Sequence, residues 1–325
     1  MSSPADAGRA QADGQGSVGM RAGSAALAAA VLWALTGLFV KGIDHLALPQ
    51  IIWGRFVLSL LLVLPFVVRS VRVRVSRGRG AGEREHTTGR ALVVDIGLGA
   101  CMTVYYVLAT VGFAVGPVAL TSLIIALAPV LTLVWQGIAT GRVRRRELVG
   151  FGIAVIGVGA YFVPLSSGAG QFSTVAVLGA TAAAVGATLV KAGYSIGLWT
   201  LAGRGEPARS DRVNALTFLL GALALIPVLP TVAGPTELTA PDLGLLVALA
   251  LCATVAPNLL NTWASTRLAP TPNAMCGMLT PPVAGVAGWI VLGESLTGLQ
   301  LAGMALALIG VGVCILNGGG RRSRV

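Results

Sequence analysis

Charge is what this sequence has least of. Asp, Glu, Lys and Arg make up only 11% of its 325 residues, against about 25% in a typical soluble domain. Acids are rarer than bases, 12 against 23, and Lys41 and Lys191 are the only lysines. Histidine occurs twice, at His45 and His86, and the four cysteines (Cys101, Cys252, Cys276, Cys314) show no C-x-x-C spacing. Neither a disulfide framework nor a metal site is expected. The G-x-x-x-x-G-K-[ST] and H-E-x-x-H patterns are missing as well. These would supply a phosphate cradle and a zinc ligand pair. ATP hydrolysis within this chain is thereby excluded, and the expectation is a protein that is not an enzyme, with no catalytic residue and no cofactor.

What is abundant is apolar surface. Hydrophobic residues reach 55%, more than a soluble globule of this length can hide. A bilayer core takes roughly 20 apolar residues per helix, and the chain supplies such runs in series. We read them as 23–42, 49–68, 91–113, 117–140, 147–163, 173–195, 212–230, 242–264, 271–292 and 299–317. The fold class expected is an all-α integral membrane protein of ten transmembrane helices. Residues 1–22 have no apolar period and read as a disordered cytoplasmic tail, and 318–325 as a basic cytoplasmic tail. The first run is long enough to span and no A-x-A cleavage site follows it before Lys41, so it reads as a retained helix.

The net charge of +11 is distributed one-sidedly. With the N-terminus inside, Arg9, Arg21, the seven arginines from Arg69 to Arg90, Arg142, Arg144 to Arg146, Arg204, Arg209, Arg212, Arg267, Arg321, Arg322 and Arg324 all fall on the cytoplasmic side, and the opposite loops carry none. Arginine and lysine bias sets orientation, so both termini are expected in the cytoplasm of a multi-pass protein of the bacterial inner (plasma) membrane. The partner of these arginines is the anionic headgroup layer rather than nucleic acid. A homodimer stays open.

The chain also repeats itself. Trp33 to Lys41 (WALTGLFVK) resembles Ala183 to Lys191 (AAVGATLVK) at a displacement of 150. Phe56 and Pro65 match Phe218 and Pro227 at 162, and Pro117, Pro129, Gly150 and Gly157 match Pro270, Pro282, Gly303 and Gly310 at 153. Two five-helix repeats, 23–163 and 164–317, follow. An odd number of spans per repeat inverts the second, an arrangement suited to alternating access.

The W-x-x-x-x-x-x-x-K stretch at Trp33 to Lys41, the Arg55-Phe56 pair, and Leu292-Gly293-Glu294 followed by Gln300, Gly303 and Gly310 are similar to the drug/metabolite transporter superfamily, in particular its EamA-type ten-helix exporters. The resemblance runs from about 24 to 317. It implies a fold of ten helices in inverted repeats that moves amino acids or other small metabolites, usually outward, through a central cavity. The family often has Gly-Glu after both span four and span nine, whereas the first copy here reads Gly141-Arg142.

Ionisable residues inside a membrane are functional candidates by default. Lys41, Arg55 and Lys191 are the basic residues left once the cytoplasmic set is removed, and they form a gate or charge group. Lys41 falls near the outer end of span one and Lys191 near the inner end of span six. Either can bind an anionic or zwitterionic substrate or simply snorkel to the interface. Arg55 lies roughly 9 Å inside the outer end of span two at 1.5 Å per residue, with binding or gate pairing and snorkelling both open. Pro129 and the Pro281-Pro282 pair mark helix breaks at mid-span, each pointing to a cavity or to a mere kink. Asn258 and Asn261, three apart on one helix face, offer amides at membrane depth, or interhelix hydrogen bonds. Trp33, Thr36, Tyr105 and Tyr106 are central rather than interfacial, suiting a cavity wall as well as ordinary packing. The paired glycines read as close helix contacts.

The resulting expectation is a secondary transporter for a small polar metabolite, an amino acid or organic anion, working by alternating access. Trp33, Thr36, Tyr105, Tyr106, Asn258 and Asn261 line its substrate site, and efflux is implied by the resemblance. A channel or facilitator is the alternative. A multidrug exporter is disfavoured, because exchanging cations for protons calls for buried carboxylates and these are nearly missing. In proteoliposomes a carrier saturates and shows counterflow, and alanine at Tyr106 or Asn258 depresses that saturable flux. Unsaturating leak would indicate a channel, and untouched flux in the alanine variants would remove these two residues from the site.

Overall fold

The computed structural model describes residues 20–76, 89–139, 141, 145–166, 172–203, 210–231, 238–265, 267 and 276–318. Among them every regular element is helical. In chain order we name α1 (Met20–Lys41), α2 (Leu48–Ser76), α3 (Gly89–Val115), α4 (Val118–Ala139), α5 (Arg145–Ser166), α6 (Thr174–Gly203), α7 (Ser210–Leu225), α8 (240–265), α9 (Thr280–Leu292) and α10 (Gly298–Gly318). Six of these, α1 to α4, α6 and α8, are long and apolar enough to cross a membrane, and the other four contain shorter apolar stretches.

The helices are apolar on their outward as well as their inward faces. Ile290 is 70% exposed, Val93 68% and Ile156 64%, a pattern that only a lipid solvent tolerates over so many residues. Inside, small residues let helices approach. Ala22, Ala26, Ala29, Ala30 and Ala34 form a buried stripe along α1, where dispersion and close backbone contact replace the hydrophobic effect as the driving force.

The pairing of helices reflects the repeat. Contacts of α3 with α6 are answered by those of α8 with α1, α3 with α7 by α8 with α2, and α4 with α6 by α9 with α1. Three helices pack on their own counterparts: α2 on α7, α4 on α9 and α5 on α10. The last of these is the tightest. A Cβ on Gly303 would lie 2.6 Å from the Tyr161 backbone N, one on Gly157 would meet the backbone of Ala307, and one on Gly310 that of Ala154. Contact positions that rise along α5 fall along α10, so these matched helices run antiparallel. Phe56 packs at Gly221, and Val63, Phe66 and Val67 share a groove with Asn214 and Phe218, the same reversal for α2 and α7.

Besides a single turn residue at Leu35 in α1, three interruptions stand out. In α4 the regular helix stops at Ile125 and resumes at Ala128, ahead of Pro129. The Ile124 carbonyl at this break accepts from the Thr188 hydroxyl of α6 at 3.0 Å. Before α9 the chain turns at 278–279 and Pro281 occupies the first helical turn. The α4 break at 126–127 shifted by 153 gives 279–280, so the two interruptions coincide under the repeat to within a residue. The third interruption is a π-helical turn at Leu251–Val255 in α8.

Several expected ends move. Helix α1 begins at Met20, inside the stretch read as tail, while 1–19, 319–325, the arginine loop 77–88 and the first residues of span nine, 271–275, lie outside the described residues. Span seven stops at Leu225, and Pro227 is followed by a 3-10 turn, Leu229–Thr231. Two helices overrun their expected ends by eight residues, α2 to Ser76 rather than 68 and α6 to Gly203 rather than 195. Lys191 therefore sits twelve residues from the helix end, roughly 18 Å at 1.5 Å per residue, and not near it.

The glycine seam is open to test. Gly157→Ala or Gly310→Ala forces backbone apart, an overpacking cost of about 1–3 kcal/mol. Gly152→Ala meets nothing within 4 Å and leaves stability unchanged or higher. Melting of the detergent-purified variants reads this directly, and a Gly157→Ala protein that melts like the parent would show that the seam is not packed as described.

Candidate functional site

The buried Arg55 and the half-buried Lys41 and Lys191 lie in two clusters. One is at the end of the bundle opposite the arginine-rich loops, where α1 ends at Lys41 and α9 ends at Gly293. Gly293 has φ +66, a left-handed cap that suits glycine, and it turns Glu294 back so that its N–H donates to the Gly288 carbonyl at 3.1 Å. The Glu294 carboxylate, 6% exposed, takes the Lys41 ammonium at 2.5 Å. It also accepts from the Val118 N–H at 3.0 Å through Oε2 and 3.3 Å through Oε1. Val118 opens α4, and an unpaired N–H at a helix start favours an anion. Gly288 leaves the carboxylate room, since a Cβ there would lie 3.1 Å from Oε2. The Lys41 ammonium also lies 4.4 Å from the centre of the Phe172 ring. The pair borders a cavity of about 510 Å³, with Ile43, Leu46, Phe172 and Leu292 among its walls.

The second cluster is central. Arg55 on α2 is 2% exposed, and its partners are all neutral. Its Nε donates to the Thr254 hydroxyl at 2.8 Å, Nη1 to the Thr110 hydroxyl at 2.9 Å and Nη2 to the Ala253 carbonyl at 3.3 Å. The π turn of α8 makes this arrangement available. It displaces the hydrogen-bond ladder by one residue, as in the Ala256 N–H donating five residues back to the Leu251 carbonyl, while the Thr254 hydroxyl donates to the Leu249 carbonyl at 2.9 Å. Tyr106 lies 4.8 Å from the guanidinium carbon, face toward it.

From Tyr106 an aromatic column continues. Its hydroxyl accepts from Asn258 Nδ2 at 2.6 Å, and its ring stands 5.2 Å from that of Tyr105. Tyr105 in turn is 5.1 Å from the Lys191 ammonium, whose other ring neighbour is Trp33 at 5.5 Å. Both distances are within the range for attraction between a cation and a π face. Lys191 has no carboxylate partner among the described residues, whereas the buried acids are engaged: Glu294 with Lys41, Asp95 with Arg212 at 3.3 Å, and Asp242 with His45 at 3.5 Å.

The structure thus gathers Trp33, Arg55, Tyr105, Tyr106, Lys191 and Asn258 into one continuous cluster drawn from α1, α2, α3, α6 and α8. Asn261 follows one turn along α8. Thr36 is buried and donates its hydroxyl to the Trp33 carbonyl at 2.7 Å, so it shapes α1 beside the cluster. Pro129, Pro281 and Pro282 belong to the interruptions of α4 and α9. Lys41 stands apart in the first cluster. Sequence reasoning missed Glu294 as its partner, as well as Thr254, Phe172 and the Val118 N–H. The position of Lys41 and Glu294 at the same end of their spans was the available signal for the first pair.

Arg55 supplies a prediction. A guanidinium holds three separate acceptors here and an ammonium cannot reproduce that fork. Arg55→Lys should lose at least the about 1.5–3 kcal/mol of one charge-assisted hydrogen bond, read as a lower melting temperature. Parent-like melting of Arg55→Lys would mean that the neutral lattice contributes nothing.

Comparison with known proteins bears on both halves. The EamA-like transporter family matches at residues 20–163 and again at 173–316. A solved structure described as "Crystal structure of protein" is similar in fold, with a TM-score of 0.59 and 16% identity over 93% of this chain and 99% of that one. No curated protein matches.

Proposed function

Since the chain belongs to the EamA-like transporter family, matched once in each half, we propose that it is a secondary carrier that exports an amino acid or small organic anion by alternating access. The chain is a membrane transporter of small solutes, in a family of transporters rather than enzymes. The finer reading takes α1 to α10 as ten spans in two inverted five-helix repeats, with both termini on the cytoplasmic side of a bacterial inner membrane. The antiparallel packing of α5 on α10 and of α2 on α7 supports inversion, as does the arginine bias.

One observation carries the substrate class. Lys191 brings a half-buried positive charge into the bundle and is met there by π faces rather than by a carboxylate. Such an ammonium is only partly compensated, since attraction to aromatic faces is worth about 0.5–2 kcal/mol. A carboxylate on the substrate completes it, while Trp33 and Tyr105 give the rest of the molecule flat apolar walls. Asn258 and Tyr106 add a hydrogen-bonding edge, and Arg55 keeps the field positive. A lipophilic cation is repelled by the same field. A continuous pore fits less well, because the Lys41 and Glu294 pair joins α1, α9 and α4 at one end.

Counterflow in proteoliposomes tests this. Lys191→Met should raise the half-saturating concentration of a carboxylate substrate by about tenfold or abolish its accumulation, since tenfold is only 1.4 kcal/mol of lost pairing. Lys191→Arg should retain part of the flux. Equal counterflow in parent and Lys191→Met would remove Lys191 from the substrate path.

A further inference from the structure

The cavity of about 510 Å³ beside Lys41 and Glu294 is within the roughly 300–1,000 Å³ usual for small-molecule sites. It is separate from the Lys191 cluster, and its charges are of both signs. Its remaining walls, Ile43, Leu46 and Leu292 with the ring of Phe172, are apolar. The two charged groups are held differently. Glu294 is anchored without Lys41: the left-handed Gly293 sets its backbone, and the Val118 N–H holds its carboxylate. Lys41 is the last residue of its helix, its side chain is 14% exposed, and four flexible methylenes carry the ammonium. If the pair parts, the carboxylate stays and the ammonium swings into the cavity.

We infer that this cavity is a second binding site, specific for a zwitterion with an apolar side chain, in which the ligand's ammonium takes Glu294 and its carboxylate takes Lys41. The ligand thereby replaces the intramolecular ion pair with two intermolecular ones, so charge is conserved as the pair opens and no buried group is left bare. A ligand with one charge satisfies one partner and strands the other, which is costly for side chains only 14% and 6% exposed. On the orientation proposed above, the site faces the outside, where an exported molecule would last be held. The inference rests on the carrier reading and narrows its substrate class from anions in general to amino acids with apolar side chains.

Three probes sharing one side chain isolate the charge requirement: L-leucine, its amide, which is a cation, and 4-methylpentanoate, which is an anion. Thermal-shift titration of the full-length protein in detergent, in a Lys191→Met background that removes the central cation, reads binding at this cavity. Leucine is expected to stabilise, with each singly charged analogue weaker by about tenfold or more. Adding Glu294→Gln should reverse the order, leaving Lys41 free so that 4-methylpentanoate binds at least as well as leucine. Lys41→Gln should favour the amide, and it serves should Glu294→Gln fold poorly. No shift with leucine, equal shifts for all three probes, or a ranking that neither variant alters would overturn the site. Counterflow by the protein with Lys191 intact is scored separately. Flux without charge-swapped binding defeats this inference alone, and charge-swapped binding without flux defeats the carrier reading.

Discussion

A cation held inside an apolar bundle must be given partners, because an unpaired charge out of water costs several kcal/mol. This protein meets the requirement in three ways. Arg55 is enclosed by neutral acceptors, and the local helix geometry serves it: the π turn of α8 turns the Ala253 carbonyl toward the guanidinium and aligns the Thr254 hydroxyl with it. Lys41 has a true counterion, presented by a left-handed glycine and the first N–H of α4. Lys191 has aromatic faces alone among the described residues. Availability to a ligand runs in the reverse order of these provisions. Arg55 is fixed, Lys41 exchangeable, and Lys191 the cation with most still to gain.

The repeat sharpens the contrast between the lysines, which are equivalent at a displacement of 150. Backbone features recur: Gly141 and Gly293, 152 apart, have φ of +63 and +66. The residue after each does not recur, being Arg142 in the first half and Glu294 in the second. Duplication has kept the turn and changed the charge. One half of the protein therefore closes its lysine with a carboxylate on a matched turn, and the other half has no carboxylate at that position to offer.

Hydropathy and self-similarity made the helices and the two halves legible in advance, because both are properties of contiguous sequence. The glycine seam was legible too, since Gly150, Gly157, Gly303 and Gly310 recur at fixed spacing and only close packing explains them together. Contacts between distant residues were less so. Lys41 and Glu294 are 253 positions apart, and nothing local in either segment names the other. The depth of Lys191 was misread for a physical reason: Gly193, Tyr194 and Ser195 lower the local hydropathy and resemble an interface, yet the helix continues through them, with the Ser195 hydroxyl donating to the Lys191 carbonyl at 3.0 Å. The π turn leaves no signature in periodicity, so Thr254 could be found only in three dimensions.

The seam and the interruptions divide the bundle into parts with different freedom to move. Along α5 and α10 the backbones are in contact, and a slide would drive one backbone into the other within a fraction of a helical turn. In α4 and before α9 the ladder is already broken at repeat-related positions, where the Ile124 carbonyl accepts from the Leu127 N–H and from one hydroxyl of α6. A hydroxyl can follow a moving carbonyl or release it at the cost of about one hydrogen bond. On the proposed alternating cycle, bending therefore falls at these breaks rather than at the seam. The Val118 N–H that holds Glu294 begins the very segment that ends at the α4 break. Movement of that segment would carry the carboxylate's anchor with it, coupling the closed end of the bundle to the helix that borders the central cluster.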